Sequence, residues 1–317
     1  MVFQLKVKVQ KNKLYQQSFS KIEKFKSMLS KAKFVAKNVI YVKKWSEKEE
    51  KFKFRKLFSS SEISNYKNLD INISCFSIKT VKGTDPLIIR AKELRQKSFF
   101  KNSNPKEFDS DEFDELCDHL VVVDRSVSED FVVGTYRLLL KPKFLRNQKF
   151  YSQSEFDISK LININQVTLL EAGRSCVHEK YRDGRIIKLL WRGLATYIID
   201  NNVDLIFGCA SFPSSNYQSF VKQLSYLHHY HKAPNSFYTQ PIEKLKAGYN
   251  IIDKSALDIE EQFRSLPPLI KAYIRAGAWI GTGAIVDKKF NTTDVLIILD
   301  SKKILKKYSQ LSFQKNH

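Results

Sequence analysis

Leu169-Leu-Glu-Ala-Gly-Arg-Ser-Cys-Val-His-Glu-Lys-Tyr-Arg-Asp-Gly-Arg-Ile-Ile-Lys-Leu-Leu-Trp-Arg-Gly-Leu-Ala195 decides the fold. It opens as an apolar strand, turns through Arg182-Asp-Gly184, and continues as an amphipathic helix. In that helix Ile187, Leu190, Leu194 and Tyr197 recur at three- and four-residue spacing, with Lys188, Arg192 and Asp200 between them. A helix N-terminus after such a turn offers backbone N–H groups without intrahelical partners and the positive end of the dipole, so the segment is built to receive an anion. Gly184 lets the backbone approach closely, and Arg182 and Arg185 add charge. The turn matches neither GxxxxGK[ST] nor GxGxxG, which argues against nucleotide chemistry.

Outward from this segment, Val203 to Phe212 reads as the next strand and completes a β-α-β unit. Upstream, Leu120–Asp124 and Asp130–Leu140 are β-rich runs around a polar turn, as in a hairpin. Ile71 to Thr80 reads as a strand, Leu87 to Phe100 as a helix, and Glu107 to Asp118 as an acidic loop. Downstream, a helix is expected over residues 214–230, another after Pro267-Pro268, and a late strand from Thr292 to Leu299. Hairpins followed by β-α-β and more strand predict an α/β domain with a mixed, mostly antiparallel sheet flanked by helices. Domain boundaries follow: a basic extension over residues 1–70, a main domain over 71–300 and a basic tail over 301–317.

With 317 residues, 43% hydrophobic and 27% charged, the chain can bury a full core. Its apolar runs are strand-length, far short of the roughly 20 residues of a membrane-spanning helix. The charged N-terminus lacks the apolar stretch of a secretory signal, so a cytoplasmic protein is expected. Cys75, Cys117, Cys176 and Cys209 form no CxxC pair, which argues against a zinc knuckle or disulfide framework. Net charge is +21, and residues 1–60 hold seventeen Lys/Arg against four Asp/Glu with no Gly or Pro. Apolar positions among those lysines predict one or two basic helices, an arm suited to an anionic membrane face or an acidic protein. Because the excess lies outside the motif-bearing region, nucleic acid is disfavoured as a partner.

The ordered motifs resemble a known superfamily. Arg95 with Phe99, Asp111-Glu-Phe-Asp114, Gly134-Thr-Tyr-Arg137 and Glu171-Ala-Gly-Arg174 are similar to acyl-homoserine-lactone synthases, which are GNAT-fold acyltransferases. Cys117-Asp-His-Leu, Val133-Gly-Thr-Tyr-Arg-Leu-Leu, Leu190-Trp-Arg-Gly-Leu-Ala, Phe207-Gly-Cys-Ala-Ser, Leu227-His-His-Tyr-His and Phe290-Asn-Thr-Thr-Asp-Val resemble the hemolysin-like GNAT branch, and within it the ornithine–acyl-carrier-protein N-acyltransferases. The likeness spans about residues 85–300. It implies a GNAT-like sheet with a bulged central strand, and transfer of a 3-hydroxy fatty acyl group to the α-amine of L-ornithine, giving lyso-ornithine lipid. The donor it implies is acyl carrier protein, whose acyl-phosphopantetheine is a co-substrate; no permanently bound cofactor is expected. The pyrophosphate clamp of coenzyme A-dependent members is incomplete at Arg182-Asp-Gly184-Arg-Ile-Ile187, and a carrier protein presents a single phosphate. Other amines, lysolipids and acyl-CoA remain the alternatives within the fold, and a basic membrane- or nucleic-acid-binding protein the alternative outside it.

Amide formation requires deprotonation of an ammonium, polarisation of the thioester carbonyl and protonation of the departing thiolate. Glu171 is the first candidate base, alternatively a buried carboxylate paired with Arg174. On a regular strand these two face opposite sides, and a bulge near Gly173 would unite them and free backbone N–H groups as oxyanion donors. Gly173, Arg182, Gly184 and Arg185 are assigned to the donor. Asp111, Asp114 and, more weakly, Asp294 suit a cationic acceptor, while Arg137 and Arg174 suit its carboxylate or the pantetheine phosphate. Cys176 with His178 is a disfavoured nucleophile pair. Tyr226 and Tyr230 are candidate proton donors, and His228, His229 and His231 lack a carboxylate motif, so no metal is expected.

Overall fold

Two strands, not one, occupy the first β region: β1 (Asp70–Ile73) and β2 (Phe76–Val81) form a hairpin. The single strand expected over 71–80 is broken where Ser74 takes φ +53°, with Arg125 holding the Ser74 carbonyl at 2.8 Å. The computed structural model describes residues 69–100, 107–143 and 147–304. The basic extension and the tail expected from the sequence therefore lie outside the described residues, apart from 69–70 and 301–304.

Helix α1 (Pro86–Phe99) starts where Asp85 accepts the Leu87 N–H at 2.9 Å, with proline in the first turn, where no N–H is needed. The expected hairpin follows as β3 (Asp118–Asp124) and β4 (Val132–Lys141). Two-residue strands β5 (Phe156–Asp157) and β8 (Gln240–Pro241) pair apart from the main sheet. The opening segment forms β6 (Leu169–Val177) and helix α2 (Arg185–Asp200), which leads to β7 (Leu205–Phe212). Helix α3 (Val221–His231) begins later than the expected 214, after one 3-10 turn at Tyr217–Phe220. Helix α4 (Pro268–Arg275), β9 (Trp279–Ile280), β10 (Ile285–Asp287) and β11 (Thr292–Asp300) complete the unit.

The main sheet runs β1-β2-β3-β4-β6-β7-β11-β10, with β9 also on β11. Among the described residues every neighbouring pair in it is antiparallel except β6 with β7. Strand alternation distributes the helices over both faces. Val121 and Val123 pack with Leu87, Ala91 and Leu94 of α1, whereas Leu120 and Ile78 meet Gly193 of α2. A second core gathers Phe150, Phe156, Leu169, Phe207, Leu296 and Ile298 at the β6–β7–β11 half.

Two irregularities shape that half. Parallel pairing of β6 with β7 runs from Leu169↔Leu205 to Glu171↔Phe207 and stops, although both strands continue. On the other side, β6 shifts register against β4: Gly173 opposes Arg137, but Cys176 opposes Thr135. Arg174 and Ser175 therefore share one place opposite Tyr136, and Arg174 takes φ +50°. The bulge lies one residue beyond Gly173. Where the parallel pairing stops, a Cβ on Gly208 would lie 2.3 Å from the Ala172 carbonyl oxygen. Gly208→Ala must push backbone away from backbone, and urea unfolding is expected to show a loss of about 1–3 kcal/mol.

Candidate active site

Between the diverging parts of β6 and β7 lies a cleft of about 830 Å³. Glu171, Gly173, Arg174 and Ser175 line it from β6, and Gly208 to Ser211 line it from β7. The bulge brings Glu171 and Arg174 to the same cleft, where regular alternation would separate them.

They are not paired with each other. Glu171 accepts the backbone N–H groups of Tyr151 at 2.9 Å and Ser152 at 2.7 Å. Burial pushes its carboxyl above the ordinary glutamate range, against the pull of those N–H groups and of Arg137. The carboxylate thereby holds the turn that carries Tyr151 and Ser152 into the cleft. Arg174 instead reaches Asp109 and Asp111, each at 3.2 Å. Its guanidinium lies between the rings of Tyr151 and Phe290, 4.5 and 4.6 Å from their centroids. Burial opposes its charge, but Tyr151 and the two aspartates outweigh burial and hold its pKa above the usual value.

Behind this wall is a buried ionic network. Arg95, with no exposed surface, gives Nε to Asp109 at 2.7 Å and two N–H groups to Asp114 at 2.7 and 3.1 Å. Arg137 reaches Asp111 and, at 3.4 Å, Asp114. Burial alone would raise the Asp114 carboxyl, yet Arg95 and the Asp111 N–H hold it below the usual range. Asp111 and Asp114, expected at the acceptor, meet internal arginines and are not among the residues that line the cleft. Arg137 does line it.

The acidic wall lies elsewhere. Asp294 on β11, Asp287 on β10 and Glu155 beside β5 bring one carboxylate oxygen each within 4.8 Å of one another, all on the cleft. One oxygen each of Glu155 and Asp294 is buried with no hydrogen-bond partner among the described residues. Burial, with Asp294 nearby, pushes Glu155 up to about 7; burial pushes Asp294 up to about 6, tempered by Ser211 and Thr292. Asp287 accepts the N–H groups of Lys289 at 2.7 Å and Phe290 at 3.0 Å, fixing the turn whose Phe290 ring covers Arg174. Of the three, sequence reasoning reached only Asp294.

The other expected residues divide between cleft and surroundings. Arg182 gives Nε to the Val177 carbonyl at 3.1 Å, Arg185 pairs with Asp183 at 2.8 Å, and Gly184 takes φ +91° at the start of α2. None of the three lines the cleft. Cys176 packs against α1, its thiol pushed up to about 12 by burial, while His178 lies against Phe131 and Tyr181. Tyr226 bonds His231 at 3.0 Å, away from the cleft lining, and His229 holds the Ile252 carbonyl at 2.8 Å. The tyrosines that do line the cleft are Tyr151, Tyr136 and Tyr273, the last two with hydroxyls 3.1 Å apart. Burial raises the pKa of both, so each keeps its proton.

The family model for the acetyltransferase (GNAT) domain matches residues 92–192. Over 204 residues the chain is 42% identical to the L-ornithine N(alpha)-acyltransferase of Agrobacterium fabrum, covering 63% of this chain and 70% of that one. It is 36% identical over 230 residues to the enzyme of the same name from Brucella abortus, covering 69% and 82%. The chain belongs to the GNAT acyltransferases, in the family of these relatives. Among solved structures it is similar to the CoA-dependent acyl-homoserine lactone synthase BjaI, at 13% identity and a TM-score of 0.41, covering 70% of this chain and 80% of that one.

Two expectations test the electrostatics of this GNAT acyltransferase. Replacing Arg95 with methionine leaves Asp109 and Asp114 buried without their main partner, and chemical denaturation is expected to show a loss of about 3–5 kcal/mol. Asp294 has the opposite sign. Its folded pKa lies above the unfolded value, so the folded state holds a proton the unfolded state has lost, and stability falls as pH rises from the ordinary 3.8 through about 6. Asp294→Asn is therefore expected to raise the Tm at pH 8 by roughly 3–8 °C, with little gain at pH 4.

Proposed function

We propose that this acyltransferase moves a 3-hydroxy fatty acyl group from acyl carrier protein to the α-amine of L-ornithine, forming lyso-ornithine lipid. The observation that carries ornithine acylation is the 42% identity with the L-ornithine N(alpha)-acyltransferase of Agrobacterium fabrum across 70% of its length; the carrier-protein donor and the lyso-lipid product rest on the resemblance of the sequence motifs. A cleft with an acidic wall beside a bulged strand supports it, because an amino acid with a second amine needs carboxylates and a thioester needs backbone donors.

The α-amine, once neutral, attacks the thioester carbonyl. The N–C bond forms, the C–S bond breaks, and the carrier's thiolate takes a proton. Glu171 is the proposed base, with a backbone N–H at the Arg174/Ser175 bulge opposing the oxyanion. Tyr136 and Tyr273 replace Tyr226 and Tyr230 as the proposed source of the thiolate's proton, since they line the cleft and retain theirs. Asp294 faces the acceptor, and Arg137 and Arg174 its carboxylate. The phosphopantetheine phosphate is assigned to the turn of Arg182, Gly184 and Arg185. With Arg182 and Arg185 already engaged, that turn suits one phosphate better than a pyrophosphate. The basic residues 1–60 are proposed to meet the acidic carrier protein or an anionic inner membrane face, in a cytoplasmic, peripheral setting. Among the described residues no helix is long and apolar enough to cross a membrane.

Purified protein mixed with 3-hydroxyacyl carrier protein and ornithine is expected to yield an α-amide by mass spectrometry; transfer only from acyl-CoA, or none, would refute the reading. In single-turnover assays near neutral pH, Glu171→Gln is expected to lower the rate on the order of 100-fold. Cys176→Ala is expected to retain activity, and a trapped acyl-cysteine would overturn direct transfer.

A further inference from the structure

We infer that Glu155, Asp287 and Asp294 form the pocket for the acceptor's side-chain ammonium, and that this pocket selects which amine reacts. The inference rests on the ornithine reading and gives it residues. All three carboxylates line the cleft, from three separate segments, with oxygens within 4.8 Å of one another. An ammonium donating three charge-assisted bonds of about 2.8 Å in tetrahedral directions sets its acceptors about 4.6 Å apart. The bound of 4.8 Å admits that spacing, and a divalent cation with oxygen ligands at about 2.0–2.6 Å is the competing occupant.

The second observation is the unpartnered oxygens. Glu155 and Asp294 are 4% and 5% exposed, and each keeps one oxygen without a hydrogen bond among the described residues. Buried carboxylate oxygens are ordinarily satisfied, because leaving one unmade costs more than the bond contributes when present. The nearby groups do not neutralise them: Tyr151 and Cys209 face Glu155, Ser211 and Thr292 face Asp294, and Arg174, which acts on Asp294, gives its Nε and Nη2 to Asp109 and Asp111. A bound ammonium would supply the missing donors and the opposite charge together.

Anchored there by its δ-ammonium, an ornithine is left with its α-amine as the amine free to reach the thioester. The length of the side chain then becomes a ruler. Lysine and 2,4-diaminobutyrate place the α-amine one methylene too far or too near, and norvaline has no ammonium to anchor.

The test compares ornithine with norvaline, lysine and 2,4-diaminobutyrate as acceptors, using full-length protein, 3-hydroxyacyl carrier protein and mass detection of the amide. Wild type is expected to prefer ornithine, and in Asp294→Asn and Glu155→Gln the kcat/KM for ornithine is expected to fall on the order of 30-fold more than that for norvaline. Melting curves of the variants keep misfolding from passing as a loss of binding. Equal falls for ornithine and norvaline in folded variants would overturn the pocket while leaving the ornithine reading intact. Activity abolished by chelation and restored by a divalent metal would overturn it in favour of a metal site. Wild type that acylates none of the diamino acids would overturn both.

Discussion

The buried network of Arg95, Arg137 and Arg174 with Asp109, Asp111 and Asp114 is the constraint on which the cleft depends. Each arginine comes from a different element: α1, β4 and the bulge of β6. All three aspartates come from the segment between α1 and β3. A buried charge is costly alone and tolerable when paired, so none of these elements can move without stranding a partner. The network contributes registry more than net stability.

That registry explains why Arg174 can remain at φ +50°, a conformation unfavourable for a side chain of its size. Two aspartates and two aromatic rings hold its guanidinium, and the bulge is fixed with it. From the bulge follows the shared exposure of Glu171 and Arg174 to one cleft. The ring that covers Arg174, Phe290, is held by the turn of Asp287, which joins the cationic wall to the acidic one. The opposite charges line one cavity yet differ in state: the arginines are compensated from behind, whereas Glu155 and Asp294 keep unsatisfied oxygens.

Much of this was legible in the sequence because it is local. The β3–β4 hairpin, the β-α-β unit and the helix after Pro267-Pro268 are each written in spacing and turn residues, and three-residue separation of Glu171 and Arg174 pointed to the bulge beside Gly173. Features set by distant segments were not legible. Glu155 lies in Ser152-Gln-Ser-Glu155 with no pattern around it, and Asp287 reaches Asp294 only through the β10–β11 register, where Ile285 opposes Asp294. Asp111 and Asp114 read as ligands for a cationic acceptor, and the sequence could not show that arginines of the same chain meet them. Asp109, which joins Arg95 to Arg174, gave no signal of its own.

One cleft joins the proposed thioester end at the β6 bulge to the proposed acceptor end at Glu155, Asp287 and Asp294. A crystal structure with the N-acyl-ornithine product bound tests it most directly. The free side-chain ammonium is expected among those three carboxylates, with the amide beside the Arg174/Ser175 bulge. An ornithine head group lying against Asp111 and Asp114, or an amide remote from the bulge, would contradict it.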